Sequence, residues 1–84
     1  MSDATMTVSV VSPERVLFTG ESTQVITRIL GSGEIAFLPG HAPFVGALAE
    51  GETRVFLPGG EVRTFPVTEG FVEVSNDVVS ILTS

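Results

Sequence analysis

The sequence contains no cysteine and no lysine. Without cysteine there is no disulfide, no thiolate zinc site and no cysteine nucleophile. Small secreted domains commonly rely on disulfide staples, so their absence favours a reducing compartment such as the cytoplasm. Without lysine, the cationic side chains are Arg15, Arg28, Arg54 and Arg63, scattered along a chain of net charge −6. Neutralising phosphates takes clustered basic residues. The composition therefore argues against a nucleic-acid partner and equally against direct adhesion to anionic lipid. A basic protein surface is the more natural complement to an acidic domain. No apolar run approaches the roughly 18 residues that span a bilayer, so any membrane role is peripheral and goes through a partner. The segment Met1 to Val11 lacks a basic stretch and its apolar run is broken by Thr and Ser, so it does not read as a signal peptide.

What the chain does contain is enough apolar material for a core: 43% of its 84 residues are hydrophobic and only 17% charged, which argues against disorder. Length predicts one domain over residues 1–84, burying somewhat over about 60% of its unfolded surface. The dominant period is two, the mark of half-buried strands, and the strand-favouring Val, Ile, Thr and Phe are abundant. Strands are expected at Met6 to Val11, Arg15 to Glu21, Thr23 to Leu30, Glu34 to Leu38 and Phe44 to Ala49. Pro58-Gly59-Gly60 and Asn76-Asp77 then join two hairpins, Thr53 to Leu57 with Glu61 to Val67 and Gly70 to Ser75 with Val78 to Thr83. Pro66 cannot donate to a ladder, so its strand belongs at an edge or a bulge. No segment has helical periodicity. These features predict an all-β fold, a flattened antiparallel sandwich of about ten short strands. The expected core is Val8, Val10, Val16, Phe18, Val25, Ile29, Ile35, Phe37, Val55, Val62, Phe65, Val72, Val74, Val79 and Ile81.

Catalytic chemistry finds little footing. A single histidine, His41, could in principle serve as a base, but no serine sits in a strand-to-helix nucleophile elbow. A loop or interface role suits it better. Gly31-Ser32-Gly33-Glu34 resembles the start of a phosphate loop, yet position 36 is Ala36 and there is no Gly-Lys-Ser/Thr. A tight glycine turn explains it. The pairs Glu50 with Glu52 and Glu69 with Glu73 flank turns and read as solvated rims. One histidine with dispersed acids offers no metal site. No cofactor is expected.

Gly33-Glu34-Ile35-Ala36-Phe37-Leu38-Pro39-Gly40-His41-Ala42-Pro43 resembles the GE(L/I)G(I/F)(L/Y)PGHAP signature of the ATP synthase epsilon subunit, called delta in mitochondria. Ala36 stands in place of the usual glycine. The segments Val8 to Glu14, Leu17 to Glu21, Phe65 to Val74 and Val78 to Leu82 also resemble that family in order and spacing. The resemblance covers essentially the whole chain. It implies a flattened sandwich at the foot of the central stalk of an F-type proton-translocating synthase. Such a rotor subunit is not an enzyme itself. It binds the gamma subunit and the membrane ring of c subunits and couples proton flow to ATP synthesis. By the same resemblance Gly31, Ser32, Gly33 and Glu34 meet the c-ring, while Ser12, His41, Ala42, Pro43 and Phe44 face gamma. The location implied is the cytoplasmic face of a bacterial cell membrane, peripheral and held through the complex. The family's C-terminal two-helix hairpin has no counterpart before Ser84, so its inhibitory and ATP-binding roles do not carry over. Two rival readings are an acidic β-sandwich adaptor with another partner and a small barrel enzyme. The enzyme would need a Ser or acid within hydrogen-bond reach of His41.

Overall fold

The computed structural model describes residues 4–84. Met1, Ser2 and Asp3, the start of the segment weighed as a signal peptide, lie outside the described residues. Nine strands follow in order: β1 Met6–Val11, β2 Val16–Ser22, β3 Gln24–Ile29, β4 Gly33–Phe37, β5 Phe44–Leu48, β6 Gly51–Phe56, β7 Val62–Val67, β8 Gly70–Ser75 and β9 Val78–Thr83. Each coincides with a strand expected from the sequence, and both hairpins form at the expected turns. Asn76 and Asp77 have φ of 52° and 61°. Their short polar side chains tolerate this left-handed geometry, and the primed turn it makes matches the twist of β8 and β9.

The strands form a sheet of order β2-β1-β9-β8-β5-β3-β6-β7, with β4 also paired to β3. Along one edge β3 carries β4, and along the other it meets β6 at its start and β5 at its end through the single register pair Ile29↔Leu48. That narrow junction lets the sheet curl into two layers. One comprises β2, β1, β9, β8 and β5; the other comprises β4, β3, β6 and β7. The principal extents, 37 × 25 × 18 Å, are those of a flattened body. The pairing is not wholly antiparallel, because β1 runs parallel to β9. Strand β7, with Pro66, lies at an edge, as a residue without an N–H requires.

Inward side chains of both layers join in one cluster that includes Val8, Val10, Val25, Phe37, Val55, Val72, Val74, Val79 and Ile81, with Met6, Leu48 and Val67 added to those expected. Thr27 and Thr53 are buried between β3 and β6 with their hydroxyls 2.7 Å apart, so neither is left unsatisfied. Phe18, Ile35 and Phe65 pack at the margin. Two expected core residues are on the surface: Val16 is 60% exposed and Val62 43%. A β-bulge between Val10 and Val11 pairs Val10 with Phe18 but Val11 with Val16, which turns Val16 outward. Val62 lies opposite Phe56, on the solvent side of β6, whose inner side is set by Thr53 and Val55.

At the foot of β8 the backbones of β8 and β9 approach closely. A Cβ added to Gly70 would lie 1.9 Å from the Leu82 carbonyl oxygen, so no other residue fits without moving the chain.

Candidate functional site

The prolyl loop between β4 and β5 is pinned from several sides. The Gly40 N–H donates to Asp77 Oδ1 at 2.7 Å, and the His41 N–H donates to the Leu38 carbonyl at 3.0 Å. The His41 ring stands edge-on to the buried Phe37 ring, centroids 4.9 Å apart, and Phe44 lies 5.4 Å from Phe37. His41 Nδ1 is 2.7 Å from the Ala42 carbonyl, to which it donates. That is a bond to backbone, and among the described residues no side-chain hydroxyl or carboxylate is hydrogen-bonded to the ring. The Phe44 ring turns inward over Gly46, where an added Cβ would lie 2.7 Å from it. The loop thus shows Ala42 and Pro43 outward, followed by Val45 as the exposed side chain of β5. Phe44 is half-buried, so it braces the loop more than it presents a free aromatic surface.

Ser12 lies at the opposite rim. Its N–H donates to the Arg15 carbonyl at 2.9 Å, and its side-chain oxygen accepts from the Arg15 N–H at 3.3 Å, closing the turn from β1 to β2. The glycine turn of residues 31–33 belongs to the same rim as Ser12. Gly31 and Gly33 have φ of +84° and +82°, conformations that glycine adopts without strain. The Leu30 N–H donates to the Ala47 carbonyl at 2.8 Å, which ties this turn to the end of β5. Glu34 pairs with Arg54, whose Nη2 is 3.2 and 3.3 Å from its two carboxylate oxygens. Both side chains are exposed, so the pair orients Glu34 more than it stabilises the fold. Glu34, which the resemblance implies meets the c-ring, thus already has a cationic partner within the chain.

The two sets of residues expected at gamma are therefore far apart, and a single surface runs between them. On the outer side of the five-stranded layer the registers Ala47↔Phe71, Phe71↔Leu82, Leu82↔Val11 and Val11↔Val16 form one cross-strand row, apolar from end to end. Phe71 is 60% exposed and Leu82 54%. Beside them a shallow groove is lined by Val11, Ser12, Pro13, Leu82 and Thr83. Single exposed apolar residues are ordinary, but a contiguous row marks an interaction surface. The sequence reading missed it, although the adjacent apolar pairs Phe71-Val72 and Ile81-Leu82 were its signal: of two neighbours on a strand, only one can face the core. Among the described residues there is no group of three or more His, Asp or Glu placed to hold a metal, and no helix long and apolar enough to cross a membrane.

Comparison with known proteins fits this architecture. Residues 5–84 match the family model described as ATP synthase, Delta/Epsilon chain, beta-sandwich domain. The chain is 44% identical over 73 residues to the ATP synthase epsilon chain of Chromohalobacter salexigens, covering 87% of this chain and 51% of that protein. It is 38% identical over 82 residues to the ATP synthase epsilon chain of Chlorobaculum tepidum, covering 98% of this chain and 92% of that one. It thus spans about half of the first relative's length and nearly all of the second's. A cryo-EM structure of the Euglena gracilis mitochondrial ATP synthase, comprising OSCP, F1 and c-ring, contains a chain that superposes with a TM-score of 0.88 at 26% identity, over 95% of this chain and 51% of that one. A chain of the Tetrahymena thermophila mitochondrial ATP synthase central stalk and c-ring shares the fold, with a TM-score of 0.76 at 14% identity, over 99% of this chain and 66% of that one. The chain belongs to the ATP synthase delta/epsilon chain β-sandwich family.

Proposed function

We propose that this chain is a non-catalytic rotor element of an F-type ATP synthase. As one folding unit it joins the gamma subunit to the c-ring and keeps proton flow coupled to ATP synthesis, at the cytoplasmic face of a bacterial membrane. The observation that carries the proposal is the apolar row from Ala47 to Val16. The row crosses the strands at the Ser12 rim, and the same outer face continues along β5 through Val45 to the loop of His41, Ala42, Pro43 and Phe44, so one face of gamma lying along it can reach both. A pinned loop loses little entropy on docking. The turn of Gly31, Ser32, Gly33 and Glu34 lies at the Ser12 rim and is left to meet the c-ring. Its glycines permit close approach, and Glu34, held by Arg54, presents an ion pair to polar ring loops. Such rim charges set register and encounter rate more than affinity.

The test is co-elution of the chain with its cognate gamma subunit on size exclusion at micromolar concentration. The wild-type chain is expected to co-elute, and Leu82→Asp to elute separately while remaining folded by circular dichroism. Separate elution of the wild type, or unimpaired co-elution of Leu82→Asp, contradicts the proposal.

A further inference from the structure

Glu73 stands on the same outer face, two residues on from Phe71. Its cross-strand neighbours are Val45 on β5 and Ser80 on β9, and the row continues through Ser9 to Thr19. None of these carries a positive charge. The other carboxylate of this face, Glu21, accepts hydrogen bonds from the hydroxyls of Thr5 and Thr7. Glu73 has no such donor among the described residues. Arg54 and Arg63 are committed to Glu34 and Glu61. Arg28 projects from the outer side of the other layer, opposite Glu34 in register, and Arg15 lies in the β1–β2 turn.

In the free chain water solvates this carboxylate. A partner that covers Phe71, Leu82 and Val45 strips that water away, and a desolvated, unpaired carboxylate opposes binding strongly. The surroundings are shaped to receive a compensating group. Ser80 and Ser9, the cross-strand neighbours that follow Glu73 in its row, are smaller than Phe71 and Leu82 of the adjacent row. A long cationic side chain lying along that row brings its head to Glu73 and its stem against the apolar carbon of Phe71 and Leu82.

We propose that Glu73 is a specificity-determining residue of this surface: the partner that covers it presents an arginine or lysine against Glu73, surrounded by apolar groups that meet Phe71, Leu82 and Val45. The inference rests on the reading of this face as the gamma-docking surface. It also disfavours a second copy as occupant. A two-fold contact through this face would bring two Glu73 carboxylates together between chains that each carry a net charge of −6.

The test is the affinity of the full chain for its cognate gamma subunit, measured at low and high salt for the wild type, Glu73→Gln, Glu73→Arg and Leu82→Asp. Glu73 is exposed, and the isosteric Glu73→Gln leaves the fold undisturbed. Glu73→Gln is expected to weaken binding at least about tenfold, Glu73→Arg more than that, and Glu73→Gln to flatten the salt dependence of Kd. One Arg→Glu or Lys→Glu substitution in gamma is expected to restore affinity to Glu73→Arg. If Glu73→Gln and Glu73→Arg bind as tightly as the wild type while Leu82→Asp does not bind, the inference fails and the docking reading survives. If the wild type itself does not bind gamma, the docking reading fails and takes this inference with it.

Discussion

The two outer faces of the molecule are built from strands of similar length, yet one carries a cross-strand ion pair and the other an unbroken apolar row beside a carboxylate with no partner among the described residues. On the layer of β4, β3, β6 and β7, Glu34 reaches across β3 to pair with Arg54, and Arg28 lies directly opposite Glu34 in register. Glu52 and Thr64 complete a polar surface of the kind that water solvates. On the layer of β2, β1, β9, β8 and β5, a row of apolar side chains crosses every strand, and Glu73 has neither a cation nor a hydroxyl donor among the described residues. The first face pairs Glu34 with Arg54 within the chain. The second leaves apolar area uncovered and a charge uncompensated, as expected of a surface whose complement is another protein. Exposure alone does not separate the two faces. What separates them is the unbroken apolar row on the second face and the Glu34–Arg54 pair on the first.

The most disruptive way to probe this contrast is to place one substitution at adjacent positions of β8. Val72→Asp puts an unpaired carboxylate in the core, where Val72 has 0% exposure. It is expected to remove most or all of the stability of a domain this size, roughly 4–12 kcal/mol, seen as loss of the cooperative melt. Phe71→Asp, one residue away on the outer face, is expected to keep a native melt within about 1 kcal/mol while abolishing co-elution with gamma. Equal loss of stability in both would show that the face assignment of β8 is wrong. A milder contrast compares the two outer faces directly. Val45→Asp on the apolar face is expected to weaken gamma binding by at least about tenfold, and Thr64→Asp on the ion-paired face to leave it unchanged. Similar losses in isothermal titration would erase the distinction. The smallest effect belongs to Glu34→Gln, which breaks the Arg54 pair. Because both groups are exposed, thermal stability is expected to change by less than about 1 kcal/mol. Proton pumping in reconstituted vesicles is expected to fall, and an unaltered rate would remove this turn from the c-ring contact.

Much of this fold was legible in the sequence because strands leave a strong local trace. Period-two alternation together with the turn and proline signals between segments marked the strands, Asn76-Asp77 and Pro58-Gly59-Gly60 marked the hairpins, and Pro66 marked an edge. What alternation does not supply is phase. Where both neighbours are apolar, as at Val16-Leu17 or Phe71-Val72, the inner side is decided by long-range register. The bulge at Val10 and Val11 set it against Val16. The parallel pairing of β1 with β9 was hidden for the same reason, since it joins the two ends of the chain. The candidate site divided along the same line. The prolyl loop and the glycine turn carry sequence signatures. The apolar row draws its members from five strands and becomes visible only once those strands are in register. Glu73 read as a rim carboxylate near a turn; its neighbours Val45 and Ser80 come from other strands.

The most direct test of the central contrast is methyl NMR on chain labelled at Val, Leu and Ile and titrated with unlabelled gamma subunit. The signals of Val11, Val16, Val45 and Leu82 are expected to shift or broaden, with those of Ile26 and Val62 on the other outer face unmoved. Shifts at Ile26 and Val62, with Leu82 and Val45 unchanged, would place the partner on the ion-paired face and contradict the account.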